Sequence, residues 1–275
     1  MSKPLGHPTS RRSSSTNVGQ HAFLDRVNFA ERIAALSAPA HRLHQVILHA
    51  FLRDGCAPRL ADLRPVARAS GVGLERLLAE LAVHDVIQRT ADGAIQVAYP
   101  FSGSPTAHQV QLEGGPTVFA MCVIDALGLP FMARRAATIH TQDPLDATLI
   151  TIVIGCDPSG KPISSQVHWL PAAAVVLVNI PPTGPVVQAE CSCPYLNAFA
   201  SRETAQRWRA AHTDLDVHLL TQQGAVREAR KIFGAVLQEP AAADAWAIPK
   251  AIPKAIPKQR PSPVPKHQPA GRREE

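Results

Sequence analysis

The chain has 275 residues, 45% of them apolar and 18% charged, which suits one large domain or two modest ones and excludes a disulfide-stapled mini-scaffold. Its formal charge of +6 sits at the ends: residues 1–20 carry +3 and residues 240–275 carry +4, leaving −1 on residues 21–239 and no basic field there for nucleic acid. No apolar stretch approaches the ~20 residues of a membrane span and no signal peptide is visible, so the five cysteines read as free thiols in a reducing compartment, with the cytoplasm as the expected location.

Residues 1–20, rich in Ser, Arg, Gly and Thr with almost no apolar cluster, read as a disordered tail. Apolar residues then recur at helical spacing over 22–37 (Phe23, Leu24, Val27, Phe29, Ile33, Leu36). A second helix is expected from about His41 to Arg53, with Gly55 as its stop. A third begins near Arg59 and a fourth covers Leu74 to Val86. Ile87–Thr90 and Ala94–Tyr99, around the turn Ala91-Asp92-Gly93, alternate as a hairpin should. Helices followed by a hairpin describe a winged-helix-like module over residues 21–100. Such modules commonly bind DNA, but the fourth helix presents only Glu75, Arg76 and Glu80, where a groove-reading helix needs several donors for bases and phosphates. A helical cap packed on a second domain is the preferred reading, and nucleic acid is not an expected partner.

Over residues 101–238 the pattern changes. Strand-like runs fall at 107–113, 147–155, 163–169, 173–180, 185–193 and about 215–222, with helices at 117–127, 202–211 and 225–237. Strands and helices segregate instead of alternating, which predicts an α+β fold with a mostly antiparallel sheet and flanking helices. Residues 239–275 are Pro- and Lys-rich, with three copies of Ala-Ile-Pro-Lys over 247–258, and read as a second disordered, extended tail.

Three places carry chemistry. The apolar run Val118–Leu127 contains two polar positions, Cys122 and Asp125, whose spacing of three puts thiol and carboxyl side by side on one helix face. A free cysteine is usually a small buried hydrophobe, but a carboxylate in an apolar helix is costly unless it has a partner or stays protonated. In Glu190-Cys191-Ser192-Cys193-Pro194-Tyr195, an extended backbone would point Cys191 and Cys193 to the same side, a pattern suited to soft metals. A structural zinc site competes with that reading, although the chain lacks the paired Cys-x2–4-Cys spacing such sites use. Cys156, at the end of a strand, reads as structural.

Phe119-Ala-Met-Cys-Val-Ile-Asp125, Gly155-Cys-Asp-Pro-Ser-Gly-Lys-Pro-Ile163 and Cys193-Pro-Tyr-Leu-Asn-Ala-Phe-Ala-Ser201, with Trp208 following in a helix, resemble the three blocks of the organomercurial (alkylmercury) lyases in the same order. The resemblance spans roughly residues 40–237. It implies an enzyme that cleaves carbon–mercury bonds by protonolysis, with Cys122, Asp125 and Cys193 as catalytic and mercury-binding residues, Cys191 as an alternative or auxiliary thiolate, and Cys156 as structural. It implies no resident cofactor, mercury as substrate and product, low-molecular-weight thiols for product release, and mercuric reductase as a partner accepting Hg(II). The chain departs from the family pattern at Met121, where an aromatic is usual, at Ser192, which separates two cysteines that are often adjacent, and at Arg134–Leu145, which reads as an insertion. Three other readings stay open on the residues alone: a metal-responsive winged-helix repressor sensing through Cys191 and Cys193, a cysteine hydrolase pairing Cys122 with His140, His168 or His218, and a thiol protein that binds mercury without turnover.

Overall fold

The computed structural model of the chain describes residues 27–237 apart from 158, 160 and 181–186, all within one unit, Met1–Ala241. Both tails expected to be disordered lie outside the described residues.

The chain opens with helices α1 (Phe29–Ala34), α2 (Ala38–Asp54), α3 (Leu60–Ala69) and α4 (Leu74–Val83). Ser37 starts α2 by accepting from Ala40 N, with Pro39 in the first turn where its missing N–H costs nothing. Gly55 ends it in the left-handed region, φ 75°, as its place after the apolar stripe predicted. Leu43, Ile47, Leu48 and Phe51 form the buried stripe of α2. The hairpin of β1 (Ile87–Arg89) and β2 (Ile95–Ala98) follows.

That hairpin does not stand apart. It continues through β3 (Phe101–Ser102) into one eight-stranded antiparallel sheet, with β5 (Thr117–Ala120), β4 (Gln109–Leu112), β6 (Ala137–Gln142), β7 (Leu149–Cys156) and β8 (Pro162–Leu170) in that order across it. Phe51 of α2 stacks on Phe101, with ring centroids 4.8 Å apart, so helices and sheet share a core. A second antiparallel sheet is built from β10 (Asn197–Phe199), β9 (Val175–Asn179) and β11 (Val217–Leu220) around Leu177, Phe199, Trp208 and Val217. The α+β class and mostly antiparallel pairing are those predicted.

Helices α5 (Val123–Ala133) and α8 (Gln222–Phe233) pack face to face, and every residue of α5 from Val123 to Met132 is buried. At their crossing Gly128 permits an approach that a side chain would block, since a Cβ there would lie 2.3 Å from Phe233. Helix α7 (Arg202–Ala211) covers the smaller sheet beside β10.

Three stretches differ from expectation. The stretch 117–127 is not one helix, because β-branched and alternating Thr117-Val118-Phe119-Ala120 pairs with β3 and β4, and α5 starts only after Cys122. Residues 134–145 contain a strand that the sequence reading did not mark, β6, which sits between β4 and β7. The described part of 185–193 is not extended: α6 (Gln188–Cys191) and a single 3-10 turn, Cys193–Tyr195, replace the strand, and Pro194 suits the start of such a turn.

Candidate active site

Cys122 stands where strand β5 becomes helix α5, with extended backbone, and is the N-cap of that helix. Its Sγ accepts from Asp125 N at 3.4 Å, while its own S–H donates to Asp125 Oδ2 at 3.1 Å. The spacing of three is therefore that of an N-cap and the third helical residue, joined by one bond to the backbone and one between the side chains, not of two neighbours along a helix face.

Cys193 reaches the same point from the other sheet. The two segments are joined by a backbone hydrogen bond, Val123 N to Leu196 O at 3.2 Å, which links the residue after Cys122 to the turn that Cys193 opens. On its far side Asn179 Nδ2 donates to Cys191 O at 3.2 Å. The Cys193 thiol lies 3.9 Å from Asp125 Oδ2, and the ligand atoms of Cys122, Asp125 and Cys193 all lie within 4.8 Å of one another. Two thiolate–metal bonds of about 2.3 Å each fit such a separation.

The three side chains are 3%, 4% and 6% exposed and border a cavity of about 40 Å³, roughly three times the ~10–15 Å³ one water occupies. Its walls are largely apolar: Phe29, Ile124, Leu196, Ile232 and Phe233. Burial raises the Asp125 carboxyl from 3.8 to about 7, against the opposing hydrogen bonds from both thiols. Burial first, then the hydrogen bond with Cys193 and the charge of Asp125, push the Cys122 thiol well up. At Cys193 the hydrogen bond with Cys122 is the largest influence and favours the thiolate, yet burial and Asp125 outweigh it and the thiol is raised. With nothing bound, then, the site holds two neutral thiols and a carboxyl balanced near neutrality.

Cys191, expected as a possible auxiliary, ends α6 half-buried and lies outside the cluster. The helical turn between the two cysteines abolishes the common direction an extended backbone would give them. Cys156 is half-exposed at the end of β7, paired with Pro162, and burial raises its thiol, with help from Glu113 and Asp157. None of the candidate histidines meets Cys122: His140 bonds Thr151, His218 pairs with Asp216, His168 is exposed, and no described histidine borders the cavity. The hydrolase reading thus lacks its base. Ser192, noted in the sequence as the residue between the two cysteines, borders the cavity too, as do Tyr99, Arg32 and Gln188, which the sequence does not single out. Each comes from a segment remote from Cys122, so no spacing announces it.

Residues 101–234 match the family model described as alkylmercury lyase. The chain carries an alkylmercury lyase domain. That description is of a carbon–mercury lyase, and all three side chains of the buried cluster fall within the matched region. The fold is similar to the crystal structure of the mercury-bound form of MerB2, with a TM-score of 0.63 and 23% identity over 78% of this chain and 99% of that one. The match runs beyond the family region and takes in part of the helical segment that precedes the lyase domain. Among the described residues no helix is long and apolar enough to cross a membrane.

Proposed function

We propose that Cys122, Asp125 and Cys193 act as one unit that breaks the carbon–mercury bond by protonolysis, releasing a hydrocarbon and Hg(II). The observation that carries this reading is the sharing of one carboxylate oxygen, Asp125 Oδ2, by both thiols inside an apolar cavity. Carbon is a poor leaving group, so the bond yields only when electron density is pushed onto mercury and a proton reaches carbon. Thiolates are the ligands soft enough for the first task, and a neutral carboxylic acid is suited to the second.

The proton inventory closes. An organomercury cation arriving at the site favours thiolate over thiol, Cys122 bonds mercury, and its proton passes along the 3.1 Å hydrogen bond to Asp125. Cys193 bonds next, its own proton moving to the same carboxyl as the first proton is delivered to carbon. The carbon–mercury bond breaks with its electron pair going to the new carbon–hydrogen bond. Of the two thiol protons, one leaves in the hydrocarbon and one stays on Asp125 until solvent takes it; Hg(II) is left between two sulfurs.

Nothing resident is needed beyond the side chains, and an external low-molecular-weight thiol is required to strip the product. Mercuric reductase is the expected acceptor of that Hg(II). All five cysteines are free, which suits a thiol-rich cytoplasm. That MerB2, of similar fold, has a mercury-bound form supports the same role for this cavity.

Phenylmercury given in excess thiol tests the assignment. Native protein should release benzene and Hg(II) catalytically; Cys122→Ala and Cys193→Ala should release neither, and Cys191→Ala should slow release only modestly. Stoichiometric mercury binding without benzene would reduce the protein to a sequestering one.

A further inference from the structure

Helix α6, which leads into Cys193, begins without a cap of its own, since the side chain of Val187 offers none. Its first N–H groups are instead satisfied from the segment that precedes the lyase domain. Gln188 N donates to Asp85 Oδ2 at 3.1 Å and Ala189 N donates to the Tyr99 hydroxyl at 2.7 Å. Asp85 lies in the turn between α4 and β1, and Tyr99 directly follows β2. Both acceptors are themselves held: Arg32 Nη1 donates to Asp85 Oδ2 at 2.7 Å, and Gln88 Nε2 donates to Asp85 Oδ1 at 3.5 Å and to the Tyr99 hydroxyl at 3.3 Å. Tyr99 is 3% exposed and borders the catalytic cavity.

The hold is transmitted to the thiol. Ser192 N donates to Gln188 O at 3.0 Å, so the residue immediately before Cys193 moves with the one that Asp85 grips. We propose that Asp85 and Tyr99 are positioning residues that set Cys193 against Cys122 and Asp125, and that the N-terminal helices and hairpin serve the reaction as the frame of the second thiolate. The brace is independent of the lyase reading, which supplies only what the positioned thiol does. A sulfur displaced by about 1 Å costs on the order of 10²-fold in a reaction whose groups must be in register, so the frame belongs to the chemistry as well as to the fold.

Tyr99→Phe deletes one oxygen and keeps the ring that packs edge-on against Phe29, at a centroid distance of 6.2 Å. Asp85→Ala removes the other acceptor, and Asp85→Asn restores an acceptor oxygen without the charge that Arg32 pairs. The full chain and these variants are compared for benzene release from phenylmercury and for the rates at which iodoacetamide alkylates Cys193 and Cys122, read by mass spectrometry. In Tyr99→Phe and Asp85→Ala, kcat should fall about 10–10²-fold with KM nearly constant, and Cys193 alone should be alkylated several times faster. Asp85→Asn should recover part of both. Unchanged kcat and unchanged Cys193 alkylation would overturn the proposal, as would faster alkylation of both cysteines in step with a lower melting temperature. Should Asp85→Ala not fold, Tyr99→Phe decides. Should native protein release no benzene, the lyase reading falls while the alkylation rates still judge the brace.

Discussion

Asp125 is buried at 4% exposure with a carboxyl raised to about 7, and this single value links the chemistry to the stability of the chain. Between its ordinary 3.8 and about 7, the folded protein keeps a proton that the unfolded chain has lost. Stability contributed by that proton is therefore full at low pH and declines as pH rises through this window, by about 1.4 kcal/mol per unit. Asp125→Asn removes the slope. Its melting temperature should match that of the native chain near pH 4 and exceed it increasingly towards pH 8, while its turnover drops by about 10²–10⁴, the loss typical of a positioned acid. Equal melting curves at every pH would show that the carboxyl is not held against desolvation. Cys122 and Asp125 were legible in the sequence because a carboxylate within an apolar run demands a reason. The reason inferred, two groups on one helix face, was not the one found: Cys122 caps the helix and Asp125 returns the bond. Cys193 stood out in the sequence through its Cys-x-Cys pattern with Cys191, but its pairing with Cys122 came only from the resemblance of its block, since the local pattern suggested a strand that the protein does not form.

At the level of elements, helix α5 is the rod on which the site is built, and its packing on α8 is close enough to exclude a methyl group. A Cβ at Gly128 would lie 2.3, 2.9 and 3.0 Å from Cδ2, Cγ and Cβ of Phe233. Alanine would gain about 1 kcal/mol of helix propensity, but the overpacking costs about 1–3 kcal/mol in a core with no room to yield. Gly128→Ala should therefore lower the melting temperature, and because Ile232 and Phe233 border the cavity, it should also weaken turnover. A higher melting temperature would mean that propensity prevails and the crossing is loose. Helices α2, α3 and α4 and the first hairpin were readable from apolar spacing and from Gly55, whose effects are local. Strand β6 is not legible locally because its alternating run, Ala137–Gln142, is short and carries polar residues at every second position; its partners β4 and β7 are what make it a strand.

Across the whole molecule, one sheet runs from β1 to β8 without a break between the N-terminal hairpin and the lyase strands. The contact of Phe51 with Phe101 and that of Phe29 with Phe233, at 5.3 Å between centroids, cross the same boundary. A fragment beginning at residue 101 would expose the edge of β3 and half of both aromatic pairs. We expect such a fragment to fail to fold alone and the intact chain to unfold in a single transition, with tryptophan fluorescence and far-ultraviolet circular dichroism coinciding; two separated transitions would contradict this. No periodicity in the sequence reveals that continuity, which rests on pairings such as Phe101 with Ala120. The same long-range closure brings Cys193 to Cys122, and the chemistry proposed there is open to one decisive reading. In deuterated water, phenylmercury turned over by the native protein should yield benzene carrying a single deuterium, one per Hg(II) released, and Asp125→Asn should bind mercury while forming almost none. Mercury bound by the native protein with no labelled benzene, or labelled benzene at an undiminished rate from Asp125→Asn, would contradict the account.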